Sequence, residues 1–376
     1  MPFEPNKEAE LVLYSSRLNI TESDKSKITE IIINNEIDWG TFLYYCCHHR
    51  VTPLVLKTFW QLNLINSIEI NVYNAMKSIC DHVKRKNIIY YTEIDIINKQ
   101  FYNHEIKAVM LKGGILAPFV YKDISLRQFG DIDFLVDMDD ISIVTKILEE
   151  SGFIQGTYDK VKRKIIPATK DEKLNRRLTS HEIFPHVKIN DNSGIPVHVD
   201  INFSVFWNGS IKNKNKFFFD TKKIIKESRL IDLNHSKVYM LSAEYQIIHL
   251  CAHHYGEAVN FCWEGNWLRD KAEISLYKFC DLHELIISEN ISWIKLYDIC
   301  IENKIEKPIY YSLKIVNILF GNIVPDDFLI NLNINQMVIN EFYDKDGVSK
   351  YWELDLFDRM FKIKEKFFEI KRKGIL

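Results

Sequence analysis

The chain has 376 residues and a formal net charge of −2, and 47% of its residues are hydrophobic. The near-neutral charge argues against a protein whose whole surface binds nucleic acid, and the hydrophobic content allows a large core divided over two or three structural units. No apolar run approaches the roughly 20 residues of a membrane span, and the N-terminal residues are polar, so we expect neither a membrane protein nor a secreted one.

Seven cysteines occur without the regular spacing of a disulfide framework. We therefore expect reduced thiols and a cytoplasmic protein. The run Cys46-Cys47-His48-His49 contains residue types that bind zinc, but adjacent side chains on a helix point in different directions. We do not expect a structural zinc site there.

The order of hydrophobic patterns divides the chain into three regions. Apolar residues at helical spacing, as in Trp39, Leu43 and Cys47, predict an N-terminal helical region over residues 1–100. Alternating strand and helix signals predict a core over residues 101–210, and residues 211–376 are predicted to be helical again. The clearest C-terminal helices are Tyr239–His254, Ile274–Ser288, Trp293–Glu302 and Pro308–Leu319.

The core opens with a predicted strand, turn and helix. Ile106–Leu111 is apolar and compatible with a strand. Gly113-Gly114 marks the break after this strand, and Ile115–Tyr121 follows as a short helix. Glycines between a strand and a helix let backbone N–H groups approach a phosphate, and the helix N-terminus adds partial positive charge. We expect Lys112 to contact phosphate as well.

Two carboxylates follow in the run GDIDFLV, at Asp131 and Asp133. Alternate side chains of a strand share a face, so this pair predicts a site for a hard divalent cation. Arg127 precedes the pair, and two interpretations remain open for it: a phosphate contact or a structural ion-pair partner for a strand-end carboxylate.

A third carboxylate lies on a predicted hairpin. Ile183–Asn190 and Pro196–Phe203 are strand-like and are joined by a turn-forming DNSG sequence. On the second strand, Asp200 belongs to the polar face, from which it could meet Asp131 and Asp133 across the sheet. Three carboxylates around two divalent cations suit in-line phosphoryl or nucleotidyl transfer.

The segments LKGGILAPFVY, LRQFGDIDFLV and VHVDINFSVFW together resemble a nucleotidyltransferase-fold family, a branch of the DNA polymerase β-like superfamily. The resemblance extends loosely over residues 37–285. It implies an α+β fold, in which a small mixed sheet is flanked by N- and C-terminal helical regions. It also implies that an NTP is the substrate and that a nucleoside monophosphate passes to an acceptor with release of pyrophosphate.

The resemblance also implies residue roles. Asp131, Asp133 and Asp200 would be the catalytic, metal-binding residues for two Mg²⁺ (or Mn²⁺) ions, and Asp200 could help deprotonate the acceptor. Lys112, Gly113, Gly114 and Arg127 would bind the nucleotide. Two positions depart from the family pattern: Gly114 stands where a serine is usual, and Asn202 stands where a histidine is frequent.

The acceptor stays open at the level of sequence. A small molecule, peptide or protein is slightly favoured, RNA or tRNA is an alternative, and a catalytically silent nucleotide-binding regulator is a third possibility, suggested by Gly114. Two basic clusters near Asp200 could bind the triphosphate or a nucleic-acid acceptor, or form a solvated surface. The first comprises Lys160, Lys162, Arg163, Lys164, Lys170, Lys173, Arg176 and Arg177, and the second Lys212, Lys214, Lys216, Lys222, Lys223 and Lys226.

Overall fold

The structure is a computed structural model that describes residues 6–206, 219–233, 236–259, 274–344 and 346–373. The chain divides into two compact units. We call Val83–Ala252 with Ile294–Asn303 the sheet unit, and Met1–His82, His253–Trp293 and Lys304–Leu376 the helical unit. The three consecutive regions expected from the sequence stay a prediction.

The helices begin before the sheet and continue after it. In chain order they are α1 (Lys7–Ser15), α2 (Glu22–Asn34), α3 (Trp39–His48), α4 (Thr52–Gln61), α5 (Ile70–Asn103), α6 (Lys112–Phe119), α7 (Ile141–Glu150), α8 (Lys170–Thr179), α9 (Thr221–Lys226), α10 (Ala243–Val259), α11 (Leu276–Ser288), α12 (Trp293–Asn303), α13 (Glu306–Phe320), α14 (Asp326–Asn331), α15 (Leu356–Phe361) and α16 (Ile363–Arg372). None of the described helices is long and apolar enough to cross a membrane.

The strands fall into two sheets. They are β1 (Val109–Met110), β2 (Ile132–Leu135), β3 (Ile154–Asp159), β4 (Lys164–Pro167), β5 (His186–Ile189), β6 (Pro196–Asn202), β7 (Arg229–Leu233), β8 (Ser236–Met240), β9 (Glu341–Tyr343) and β10 (Ser349–Tyr351). The last two form a small antiparallel hairpin in the helical unit.

In the described part of the sheet unit, eight strands form one mixed sheet in the order β4-β3-β5-β6-β2-β1-β8-β7. The central pair, β2 and β6, is parallel, and β1 is antiparallel to β2. The predicted α+β fold with a mixed sheet and helical flanks is confirmed. The sheet is larger than expected because the β3–β4 and β7–β8 hairpins extend its two ends.

Burial explains why these segments form strands. Val197, Val199 and Ile201 alternate along β6 and are fully buried, whereas the intervening His198 and Asp200 are partly exposed. Side chains alternate between the two faces of a strand, so one face of β6 packs into the core and the other carries polar groups. The predicted hairpin of β5 and β6 is confirmed, with Val187 opposite His198.

The strand-turn-helix prediction at the start of the core needs correction. The strand β1 is only two residues long, and α6 begins at Lys112, so Gly113 and Gly114 lie inside its first turn. Leu111, in extended conformation, is the N-cap, and Lys112 turns the chain with a positive φ of 46°. The turn is therefore made by Lys112, before the glycines.

The predicted helix Tyr239–His254 also needs correction. Tyr239 and Met240 are the last residues of β8, and the helix α10 begins only at Ala243. β8 pairs parallel to β1, with Val109 opposite Tyr239. A short strand followed closely by a helix gives an apolar run without a clear period, which is why the sequence alone predicts one helix there.

The helical unit is held by apolar helix faces and a few buried ion pairs. Arg17 pairs with Asp24, and both side chains are nearly inaccessible to solvent. Arg359 on α15 is 1% exposed, donates to the backbone carbonyl of Ile339 and lies over the ring of Trp352. Each of these buried guanidinium groups therefore has a polar partner within the same unit.

Candidate functional site

The carboxylates predicted from the sequence lie on the two central parallel strands. In the register of β2 and β6, Asp133 stands directly opposite Asp200. Asp131 immediately precedes β2, two positions before Asp133. The sheet therefore brings the three expected carboxylates together, and their catalytic and metal-binding roles stay predictions.

The second half of α5 positions the loop that leads into β2. The ammonium of Lys86 donates to the carbonyl of Phe129 at 3.0 Å, and the Tyr90 hydroxyl donates to the carbonyl of Gly130 at 2.8 Å. Both bonds fix the backbone immediately before Asp131. Burial, followed by the charge of Asp131, raises the pKa of the Tyr90 hydroxyl, so the hydroxyl stays protonated and able to donate.

Lys112 forms an ion pair with one of the three carboxylates. Its Nζ lies 2.9 Å from Oδ1 of Asp133, whose side chain is 2% exposed. Burial alone would lower the pKa of Lys112, but Asp133 and then Asp131 outweigh it and raise the pKa. The ammonium therefore stays charged and neutralises part of the carboxylate charge.

The other two carboxylates are poorly compensated. Burial, and then repulsion from Asp133, raises the pKa of Asp131, although Lys112 opposes this. Burial and then Asp131 and Asp133 raise the pKa of Asp200 well above its usual range. Oδ1 of Asp200 is buried and has no hydrogen-bond partner. The site thus carries more negative charge than Lys112 balances.

Glu182 is a fourth acidic residue that the sequence reasoning missed. It forms an isolated antiparallel bridge to Asn202 and is 9% exposed. Its charge contributes to the raised pKa values of Lys112 and Asp200. The signal was available in the hairpin register, because a residue just before β5 must lie opposite the end of β6.

Asn202, the departure from the family pattern, is fully buried beside Asp133. Its Nδ2 lies 3.5 Å from Oδ1 of Asp133 and 3.4 Å from the carbonyl of Phe134. The amide therefore helps to fix the Asp133 carboxylate, a role that needs a donor and no proton transfer.

Two uncharged histidines lie near the lysine. Burial, and then the charge of Lys112, lowers the pKa of His181 to about 3 and that of His249 to about 3. Nδ1 of His249 lies 3.0 Å from the carbonyl of Val205 and must donate to it, so Nε2 carries the lone pair. This Nε2 is buried and has no hydrogen-bond partner. Nε2 of His249 can therefore accept a hydrogen bond, and neither ring carries a charge.

Besides the predicted phosphate contact, the glycine pair has a packing role. A Cβ at Gly113 would lie 2.4 Å from Cβ of Phe129, which is impossible without a shift. A Cβ at Gly114 would lie 3.2 Å from Sδ of Met110. Gly113 is thus required for the close approach of α6 to the loop before β2, and a phosphate contact at either glycine stays a prediction.

Arg127 lies in that same loop and is 7% exposed. Its guanidinium donates to the carbonyl of Gln128, and its own carbonyl accepts a 2.9 Å bond from Asn87 on α5. These contacts fit a structural role in shaping the loop, and its expected nucleotide contact stays a prediction.

The first basic cluster forms a structured, exposed surface, which we call the basic arm and define as residues 160–177. It comprises the β3–β4 turn, β4 and most of α8, and most of its side chains are exposed. Arg176 pairs with Glu182 and so joins the arm to the carboxylate site. In the second cluster, Lys222 pairs with Asp139 at 2.6 Å, while Lys212, Lys214 and Lys216 lie outside the described residues.

The carboxylate site fits a hard divalent cation by its chemistry. Its donors are oxygens, and Asp200 holds a buried oxygen without a hydrogen-bond partner. Burial and then repulsion raise the pKa values of Asp131 and Asp200. Among the described residues, however, no group of three or more acidic, histidine or cysteine side chains is placed so that it could hold a metal ion without rearrangement. The lysine ammonium instead occupies the oxygen of Asp133.

Comparison with known proteins gives one family match. The profile of a family described as uncharacterised nucleotidyltransferase matches residues 35–321, most of the chain and all of the carboxylate site. Comparison with curated proteins finds no match.

Proposed function

Because the chain belongs to the uncharacterised nucleotidyltransferase family, we propose that its sheet unit transfers a nucleoside monophosphate from an NTP to an acceptor and releases pyrophosphate. The observation that carries the proposal is the register of β2 and β6, which sets Asp133 opposite Asp200 with Asp131 two positions earlier. Carboxylates gathered in this way suit the in-line transfer of a phosphoryl group.

Asp131, Asp133 and Asp200 would hold Mg²⁺ or Mn²⁺, which when bound neutralises the triphosphate and favours ionisation of the acceptor. The remaining chemistry belongs to side chains of the site. Lys112 would donate to phosphate oxygens, as a compact charge with three donors. Asp200 would act as the general base that accepts the proton of the acceptor hydroxyl.

The proposed reaction forms one bond, breaks one bond and transfers one proton. The acceptor oxygen bonds to the α-phosphorus, the bond from that phosphorus to the bridging oxygen of the β-phosphate breaks, and pyrophosphate leaves with the bridging oxygen. The proton of the acceptor hydroxyl passes to a carboxylate oxygen of Asp200. No oxidant or reductant takes part.

The charge of the site favours an uncharged acceptor group. Four carboxylates lie in the site or beside it, including Glu182, and the neighbouring His181 and His249 are uncharged. An acceptor phosphate would meet this acidic surface, whereas a hydroxyl would meet hydrogen-bonding groups. We therefore propose a hydroxyl group of a small molecule, peptide or protein as the acceptor.

A second candidate is transfer to an RNA hydroxyl, which the basic arm favours. The arm is exposed, carries lysines and arginines, and is joined to the site by the Arg176–Glu182 pair. Such a surface can follow a phosphate backbone while a terminal hydroxyl enters the site.

The test is transfer of label from each common NTP, labelled in the α-phosphate, to cell extract in the presence of Mg²⁺. The product is separated into RNA, protein and metabolite fractions. Label in the protein or metabolite fraction supports the first acceptor class, and label in RNA supports the second. Nucleotide binding without transfer in any fraction would contradict an enzyme and favour a silent regulator.

A further inference from the structure

The ion pair between Lys112 and Asp133 has a location that a purely structural pair does not need. Nζ of Lys112 lies 2.9 Å from an oxygen of the most buried of the three carboxylates. The Lys112 backbone has a φ of 46°, a conformation that side-chain-bearing residues rarely adopt. Strained backbone at a ligand site is held in place by the surrounding structure and is frequent where function requires it.

The ammonium of Lys112 lies against Oδ1 of Asp133, an oxygen that a divalent cation at this carboxylate would compete for. The lysine charge also lowers the raised pKa values of Asp131 and Asp200. Oδ1 of Asp200 is buried and has no hydrogen-bond partner. The side chain thus supplies positive charge to the site, but too little to complete it.

Lys188 provides a comparison within the same unit. Its ammonium lies 3.0 Å from a carboxylate oxygen of Glu93, whose side chain is 4% exposed. This pair resembles the pair of Lys112 with Asp133 in kind, but it involves none of the three aspartates.

We propose that Lys112 stands in for the divalent cation in the nucleotide-free protein and leaves Asp133 when a triphosphate arrives. This proposal rests on the proposed function, because it assigns the carboxylates to a metal that accompanies an NTP. The triphosphate offers the ammonium stronger acceptors, since charged hydrogen bonds to phosphate are short and strong. Metal and nucleotide then bind together, and neither a bare metal ion nor an NTP alone completes the site.

The proposal makes Lys112 a positioning residue whose effect on metal binding is inhibitory before the nucleotide binds. Removal of the ammonium frees the Asp133 carboxylate and leaves more of the negative charge of the site without a neighbouring positive charge. Free carboxylates bind a divalent cation more tightly. If Lys112 only stabilised the fold, its removal would leave the metal affinity unchanged.

The experiment is calorimetric titration of MnCl₂, without nucleotide, into the full chain and into Lys112→Met and Lys188→Met. We expect Lys112→Met to bind Mn²⁺ at least about tenfold more tightly than wild type, equivalent to ~1.4 kcal/mol. Lys188→Met, the matched control, should gain no more than about threefold, because it removes the same charge from a carboxylate that is not a predicted metal ligand. Equal gains in the two variants, or no gain in Lys112→Met, would overturn the proposal.

Thermal unfolding supplies a second measurement. Lys112→Met should melt below wild type in EDTA, since Asp133 loses its partner, and Mn²⁺ should raise its Tm more than it raises that of wild type. If the methionine variant does not fold, Lys112→Asn serves instead, because asparagine tolerates positive φ. A Tm rise with Mn²⁺ no larger than that of wild type would count against the proposal.

The titration does not depend on turnover, so its failure differs from failure of the proposed function. Wild type that transfers a nucleotide while Lys112→Met shows no gain in Mn²⁺ affinity would keep the function and refute the role of Lys112. If Lys112→Met gains Mn²⁺ affinity as expected but the wild type transfers no nucleotide, the role of Lys112 is kept and the proposed enzymatic function is refuted.

Discussion

Asp200→Asn should stabilise the metal-free protein at neutral pH. Burial and the neighbouring carboxylates raise the pKa of Asp200, so the folded chain binds this proton more tightly than the unfolded chain, whose aspartate pKa is about 4. Stability therefore falls as pH rises through the raised pKa, and above it the ionised group opposes folding in full. Asparagine removes that opposition and keeps the shape of the side chain.

The expected gain is set by how far burial and repulsion strengthen proton binding. A tenfold change in proton affinity corresponds to about 1.4 kcal/mol. We expect a gain of about 1–2 kcal/mol near pH 8, seen as a Tm rise of roughly 1–3 °C, and a smaller gain at lower pH, where protonation of wild-type Asp200 removes the repulsion.

The assay is thermal unfolding in EDTA at several pH values. Asp232→Asn on β7, exposed and in the same sheet, is the control and should change stability by less than about 0.5 kcal/mol. A lower Tm for Asp200→Asn near pH 8, or a gain independent of pH, would refute the electrostatic reasoning.

Three other predictions concern the glycines, the metal and the basic arm. Gly113→Ala should destabilise the fold by about 2 kcal/mol through the clash with Phe129, whereas Gly114→Ala meets the flexible Met110 and should cost under about 1 kcal/mol; equal Tm values would contradict this. Mn²⁺ affinity, measured by calorimetry, should rise from about pH 5 to about pH 8, because protons compete with the metal for carboxylates with raised pKa values. An affinity independent of pH would show that the carboxylates are already ionised at about pH 5. If RNA is the acceptor, its binding should weaken on the order of a hundredfold between low and moderate salt and lose that dependence in a basic-arm variant with serine at four positions; a shallow slope would favour a small-molecule or protein acceptor. The four replaced residues are Lys160, Arg163, Lys164 and Lys170, which leaves the Arg176–Glu182 pair intact.

The carboxylates and the hairpin could be predicted from the sequence because their signals are local. The alternation of buried and polar residues in β6 fixes which face Asp200 occupies, and the turn sequence fixes the antiparallel pairing with β5. The i, i+2 spacing of Asp131 and Asp133 similarly requires only strand periodicity. These features need no knowledge of distant segments.

The remaining features depend on contacts between distant segments. Gly113 is required by Phe129, which comes sixteen positions later, so the sequence indicated a turn where the structure has a packed helix. β7 and β8 extend the sheet because β8 pairs with β1, more than a hundred residues earlier. Lys112 could be assigned to phosphate by analogy, but its pair with Asp133 depends on where α6 lies against β2.

The most direct test of the central claim compares wild type with Asp131→Asn and the control Asp232→Asn, using an NTP labelled in either the α- or the γ-phosphate. The account predicts that wild type and Asp232→Asn transfer the α-label, and not the γ-label, to the same acceptor fraction. Asp131→Asn should lose transfer while its Tm in EDTA is unchanged or higher, because the charge is needed for the metal and not for packing. Transfer of the γ-label, or wild-type turnover in Asp131→Asn, would contradict the account.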